Sequence, residues 1–357
     1  MVRVAAMFAL TVEWMVLDFC PATPAWAQSG ATSPVEAIAL YQGPDREQKL
    51  LEGARKEGSF NLYTSMIAPD QDVLSDAFTK KYGIKLQYWR ASSEALLQRL
   101  VAEARAGRFE ADVVDNNVAQ VEALRRERLL QKVESPRQAG LIAEAVPAHK
   151  EWVGNSIDLI IQGYNSNKIK PADLPKTYQD LLNPKWKGQL GVEATDQHWF
   201  AAILEELGHD AGMELFKKIV DTNGISVRNG HALLANMVAS GEVPLALTVY
   251  QYLPTEIKRK GGPLEPFVIS KAIGAFRSIG VLKSTRHPYA ALLYYDFVLS
   301  PEGQQILLSR SRAPTSRDID SPWKSTPIKF IDPVRALDLN DQWTQDFEAA
   351  VTKRARR

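Results

Sequence analysis

Apolar and polar positions fall into two alternating rhythms from residue 50 onward. Leu50 to Glu57 reads as a charged amphipathic helix stopped by Gly58. Ser59-Phe60-Asn61-Leu62-Tyr63 reads as a short strand. Asp70 to Tyr82 then carries Val73, Leu74, Ala77 and Phe78 at helical spacing, and Gly83 closes it. Ile84 to Tyr88 is a second strand, followed by a helix to Ala106 with Leu96, Leu97, Leu100 and Val101 on one face. Ala111 to Asp115 is a third strand, and a helix runs on to Arg128. A β-α-β-α-β-α order with short connections predicts a parallel sheet covered by helices, with right-handed crossovers.

The pattern restarts after Pro136 to Pro147. Asn155 to Tyr164 is a strand with an apolar centre, and Pro171 to Pro184 is a turn-and-helix region. Gln189 to Glu193, Ile225 to Val227 and Pro244 to Val249 are strands. Helices run to Leu207, from Ala211 to Val220 and from His231 to Ala239. Phe267 to Leu282 reads as strand, turn and strand. Pro288 to Leu299 and Pro301 to Leu308 are helices, and Asp341 to Thr352 is the last. The architecture repeats while the sequence does not, and the length suits two domains.

In parallel sheets ligands bind beyond the carboxyl ends of the strands. In the first unit those ends carry Tyr63-Thr64-Ser65, Arg90-Ala91-Ser92-Ser93 and Asp115-Asn116-Asn117. In the second they carry Thr195-Asp196-Gln197-His198, Arg228-Asn229-Gly230 and Tyr250-Gln251-Tyr252. Unpaired N–H groups and the positive dipole end of each following helix favour an anionic group there. Ser, Asp and Asn before a helix also serve simply as caps. Several such loops on one sheet edge turn the reading toward a site.

Lys and Arg number 43 against 42 Asp and Glu, a net charge of +1, which gives no global pull toward nucleic acid or an anionic membrane. Residues 1–27 read as a secretory signal: Arg3, an apolar stretch, and Ala25-Trp26-Ala27 before the expected cleavage. Cleavage would remove Cys20, the chain's one cysteine, and leave no thiol chemistry or disulfide. There is no GxGxxG, P-loop, HExxH or GxSxG. Five histidines are scattered without a metal-type pair. His149 and His287 flank proline turns and read as surface residues. His198 and His231 lie at strand ends.

Four stretches together resemble a known family: Asn61 to Ser65 (NLYTS), Tyr164 to Leu190 (YNSNKIKPADLPKTYQDLLNPKWKGQL), Gly241 to Tyr252 (GEVPLALTVYQY) and Tyr295 to Leu307 (YDFVLSPEGQQIL). The set resembles periplasmic solute-binding proteins of ABC importers, of the class whose best-known branch binds ferric ion. The resemblance implies an α/β, type II periplasmic-binding-protein-like fold: two lobes, a hinge of crossing strands and a ligand cleft that closes. Lobe 1 would comprise 28–150 plus about 265–315, and lobe 2 would comprise 151–264 plus about 316–357. The crossovers would lie near 150–164 and 253–282.

The resemblance also implies an exported monomer in the periplasm that delivers cargo to an inner-membrane ABC permease. It implies no cofactor, no nucleic-acid partner and no enzyme activity. The ferric branch pairs tyrosines where this chain has Tyr250 and Tyr252. A period-two chain would put both rings on one side, with Tyr164 as a third phenolate or a half-buried strand residue. Met66-Ile67-Ala68-Pro69 supplies no metal ligand after the first strand, which places a small carboxylated or phosphorylated anion ahead of Fe(III) as cargo. Thr64, Ser65, Arg90, Ser92 and Ser93 would face Thr195, Arg228, Asn229 and His231. Tyr250, Tyr252 and Trp199 would stack on the ligand body. For Arg90 and Arg228 surface ion pairing is the competing role. Tyr294-Tyr295 reads as packing. An enzyme on the same fold would need Asp115 and Asp196, the obvious cleft carboxylates, as its acid and base.

Overall fold

The computed structural model describes residues 34–355; the predicted signal segment and its cleavage after Ala27 lie outside the described residues. In chain order the elements are α1 (Pro34–Ala39), α2 (Arg46–Glu57), β1 (Ser59–Thr64), α3 (Ala68–Tyr82), β2 (Lys85–Arg90), α4 (Ser93–Arg105), β3 (Val113–Asn117), α5 (Val118–Arg126) and β4 (Leu130–Gln131). There follow β5 (Val153–Asn165), β6 (Leu190–Glu193), α6 (Gln197–Leu207), α7 (His209–Asn223), β7 (Ser226–Arg228), α8 (His231–Ser240), β8 (Leu245–Tyr250), α9 (Tyr252–Arg259), β9 (Leu264–Phe267) and β10 (Ala272–Leu282). The chain ends with α10 (Pro288–Leu299), α11 (Pro301–Ser309), β11 (Ala313–Pro314), β12 (Ile328–Phe330), α12 (Pro333–Asp338) and α13 (Asn340–Phe347).

The strand order is β2-β1-β3-β10-β5-β8-β6-β7. β1 pairs in parallel with β2 and β3, and β6 pairs in parallel with β7 and β8, so each half is a parallel α/β unit. The long strands β10 and β5 run between them, antiparallel to each other and to β3 and β8 respectively. The molecule is thus a two-lobed α/β protein whose halves share two crossing strands. The segment read as strand, turn and strand is the end of β9, a turn and β10, and both strands pair with β5, at its far and near ends, rather than with each other. The turn carries Ser270 at a φ of 63°.

Aromatic clusters fill both cores. Phe60, Phe78, Tyr294 and Phe297 meet in the first half. Tyr178, Trp199, Phe200, Phe216 and Phe347 meet in the second. Each large apolar side chain so enclosed contributes about 1.5–3 kcal/mol. Tyr294 and Tyr295 are packing residues, their hydroxyls accepting from Gln71 and Gln138.

Three local expectations change. Val73 is exposed, because α3 turns Asp70, Gln71, Leu74 and Phe78 inward instead. Arg312 holds Asp70 there and Tyr294 holds Gln71. Residues 171–186 form 3-10 turns rather than a helix, with Asn223 donating to the carbonyls of Leu181 and Asn183. His149 and His287 are half-buried: Nδ1 of His149 accepts from the Glu151 N–H, and Nδ1 of His287 lies 2.9 Å from Asp112. Among the described residues no helix is long and apolar enough to cross a membrane.

Candidate functional site

The strand ends of the first lobe spend most of their polar groups on each other. Thr64 is fully buried and its hydroxyl accepts from the Met66 N–H at 3.0 Å. Asn116 is also fully buried; its amide donates to the Ser93 carbonyl and its oxygen accepts from the Asn117 N–H. Ser92 caps α4. Arg90 ends the edge strand β2 exposed, with no ion pair among the described residues. Asp115 accepts from Arg277 and from Asn155, each at 2.5 Å, inside the sheet. Arg277 also donates to Ser65 and Asn117, while its buried Nε has no partner. Asn117 precedes α5 without capping it, so the first N–H groups of that helix stay open toward the cleft.

Tyr63 departs from expectation. Its hydroxyl donates to Glu103 at 2.9 Å and its ring lies against Trp89 and Arg99. It lines a separate hollow of about 590 Å³ with Trp89, Arg99 and Glu103. Burial, reinforced by Glu103, pushes its phenol up to about 12.

The second rim is built around Glu193, the buried last residue of β6. One of its oxygens accepts from the Thr195 N–H and hydroxyl, the other from the Gly230 N–H. It thereby ties the turn before α6 to the turn before α8. Gly230 takes a φ of 102°, which a side chain rarely adopts. Asp196 precedes α6 without capping it. Its Oδ1 lies 3.3 Å from His231 Nε2, while its buried Oδ2 and His231 Nδ1 have no partner. Burial opposes charge on His231, but Asp196, and then Glu193, outweigh it and raise its pKa. The His231 ring sits 4.1 Å from the Tyr250 ring, which stacks on Tyr252 at 5.7 Å and 10°.

That stack arises differently from the expected extended chain. Tyr250 ends β8, Gln251 turns into helical geometry, and Tyr252 opens α9. The buried Gln251 accepts from the Leu159 N–H and donates to the Ile157 carbonyl, and so fixes the turn against β5. Burial, and after it Asp158 and Asp196, hold the Tyr250 phenol far above its usual value. Burial and Asp158 raise Tyr252 as well.

Three other residues lie away from this cluster. Trp199 is wholly buried in the second core, because the apolar face of α6 turns it inward. Tyr164 is buried against Phe267. Arg228 lies along α8, donating to Met237 sulfur and its neighbour's carbonyl, with Glu242 at 3.9 Å; Asn229 beside it is exposed. His198 reaches the cleft with its Nε2 buried and unpartnered, its ring edge on Trp343, and burial lowers its pKa.

The open N-terminal turn of α5 and the rim of Thr195, Asp196, His198, His231 and Tyr250 enclose one cavity of about 270 Å³. Sequence reasoning missed several members. Asp158 lines the cavity and is held by Arg312 at 2.9 Å, which also bonds Asp70. Asp158 and Arg277 were visible as lone charges in otherwise apolar strands, a placement that demands a partner. Glu193, Asp196 and His231 bring one ligand atom each within 4.8 Å of one another. Both Glu193 oxygens are already engaged with the loops, so the atoms free to hold a metal or a ligand hydroxyl belong to Asp196, His231 and the tyrosines.

The Fe(3+)-binding periplasmic protein of Serratia marcescens is 27% identical over 282 residues, covering 75% of this chain and 82% of that protein. Iron-bound HitA from Pseudomonas aeruginosa has a TM-score of 0.69 at 23% identity, covering 82% of this chain and 99% of that one. AfuA from Actinobacillus pleuropneumoniae, with exogenous fructose-6-phosphate bound, has a TM-score of 0.66 at 19% identity, covering 83% and 99%. The family pattern of the bacterial extracellular solute-binding proteins matches residues 111–333, more than half of the sequence. This chain therefore belongs to the bacterial extracellular solute-binding protein family.

Proposed function

We propose that the protein captures a small phosphorylated or carboxylated solute that also carries hydroxyl groups, and delivers it in the periplasm to an ABC permease. The opposed chemistry of the two cleft walls carries this reading. The first wall offers donors: the uncapped start of α5, with Arg277 behind Asn117. Such a wall suits an anionic head. The second wall offers an acceptor and a ring, Asp196 and Tyr250, with Asp158 beside them on the crossing strand β5 and Tyr252 stacked on Tyr250. A bare anion would meet these carboxylates unfavourably, whereas ligand hydroxyls would donate to them and a sugar-like body would lie on the tyrosines. Closure of the lobes about β5 and β10 would bring the walls together, and no bond of the cargo need change.

Fe(III) is the second reading. Tyr250, Tyr252, Asp196 and His231 form an oxygen-rich set with one imidazole, and relatives such as the Serratia protein are named for Fe(3+) binding. A phenol of ordinary pKa ~10 must lose its proton to ligate iron. Burial opposes that loss, and the cation would have to drive it.

Native mass spectrometry with metal analysis of freshly purified protein separates the two. An organic mass without iron is the expected result. A reddish protein with near-unit iron would put the ferric reading first, and turnover of any bound molecule would end the binding reading.

A further inference from the structure

Pro333 is both the last residue of the family match and the first residue of α12. The C-terminal segment beyond α12 is anchored in the second lobe. Trp343, Phe347, Ala350 and Val351 are buried in its core, and Gln197 donates to Asn340 at 3.2 Å. Lys329 and Arg335 both pair with Glu205 of α6. α12, tied to α6 through Arg335, also packs onto α5 of the first lobe. There Arg126 forks Asp338, Nη1 to Oδ1 at 2.5 Å and Nη2 to Oδ2 at 3.1 Å, and also donates to the Val334 carbonyl. Between these two attachments, Ile331 and Ala336 line the cargo cavity.

We propose that α12 is a latch across the flank of the cleft: the Arg126–Asp338 fork must break before the lobes part and cargo leaves. This rests on the hinged solute-binder reading above. A segment fixed to one lobe, hooked to the other and forming part of the cavity wall cannot stay in place on both sides when the cleft opens. Both partners are exposed at the surface, so the fork is weak and reversible and tunes the open population rather than locking it.

The test needs no cargo. Cys20 is the only cysteine, so Cys20→Ser with Lys80→Cys on α3 and Lys218→Cys on α7 gives one spin-label pair, at exposed positions on opposite lobes. Pulsed dipolar distances are compared for the parent, Arg126→Ala, Asp338→Ala and the double variant. The expected result is a roughly two- to fivefold rise in the long-distance population, of the same size in all three variants because they remove one interaction. High salt on the parent should reproduce part of it. Asp338→Asn keeps the side-chain volume and should show the same direction if Asp338→Ala disturbs the helix. Distances unchanged in every variant, or shifts that add in the double variant, overturn the latch. A shift in a protein that proves to bind no solute would leave the latch standing and sink the functional reading instead.

Discussion

The two rims of the cleft carry much the same residue types and put them to different use. On the first rim Thr64, Asn116, Ser92 and Asp115 are satisfied within the protein, by a turn N–H, a neighbouring carbonyl, a helix start and Arg277. On the second, Asp196 Oδ2, His231 Nδ1 and His198 Nε2 are buried without partners. An unmade hydrogen bond at a buried group is costly, so a rim that keeps three of them is one a ligand can complete. The first rim is scaffold with open helix N–H groups at its lip; the second holds side chains in reserve.

Mutations should divide along that line. The largest effect expected is on stability at the first rim. Asp115→Ala strands the buried guanidinium of Arg277 and should cost about 3–5 kcal/mol in denaturant unfolding. An unchanged midpoint would erase the distinction between the rims. Next, Asp196→Ala should weaken binding of the native cargo about 10- to 100-fold by calorimetry, as expected for a lost bond to a charged group, with a smaller loss of stability than Asp115→Ala because it breaks the pairing with His231. Retained affinity would remove Asp196 from the site.

A smaller effect depends on pH. His231 has a raised pKa in the fold, so its pairing with Asp196 stabilises fully below the unfolded value of about 6.5 and is lost as pH rises through the raised one. The stability gap between wild type and His231→Gln should therefore shrink on going alkaline. His198 has a lowered pKa, so its contribution is present above about 6.5 and fades as the solution is acidified through that lowered pKa. His198→Gln should show the opposite trend. The smallest expected change is at Arg228→Ala. Its side chain lies on Met237 and toward Glu242, so cargo affinity should stay as in wild type. A tenfold loss would return Arg228 to the cleft.

Much of the fold was legible in the sequence because local rules govern it. Gly58 and Gly83 end α2 and α3 at positive φ, and Ser300 and Pro301 start α11. The strands β1, β2, β3 and β6 were readable from apolar runs followed by polar turns. Part of the site was legible too: Asp196, His198, His231 and Tyr250 stand at strand ends and line the cavity. Tyr63 and Trp199 stand beside equally polar turns but are buried away from the cavity, Tyr63 against Trp89 and Trp199 in the second core, because side-chain direction depends on which sheet or helix face meets the core. Asp158, Arg277 and Arg312 escaped because their partners lie far along the chain: Asp158 pairs with Arg312, and Arg277 with Asp115.

The sequence by itself determined most of the order of strands and helices, many of their stops, and which turns would be polar, since propensity, capping and periodicity act over a few residues. Tertiary structure decided the rest. It paired β10 with β5 between the two parallel halves, stacked Tyr250 on Tyr252 through a strand-to-helix turn, and left Asp196 Oδ2, His198 Nε2 and His231 Nδ1 without partners on the second rim. Those outcomes depend on contacts between residues tens to hundreds of positions apart, and no local pattern encodes which buried groups find a partner at that range.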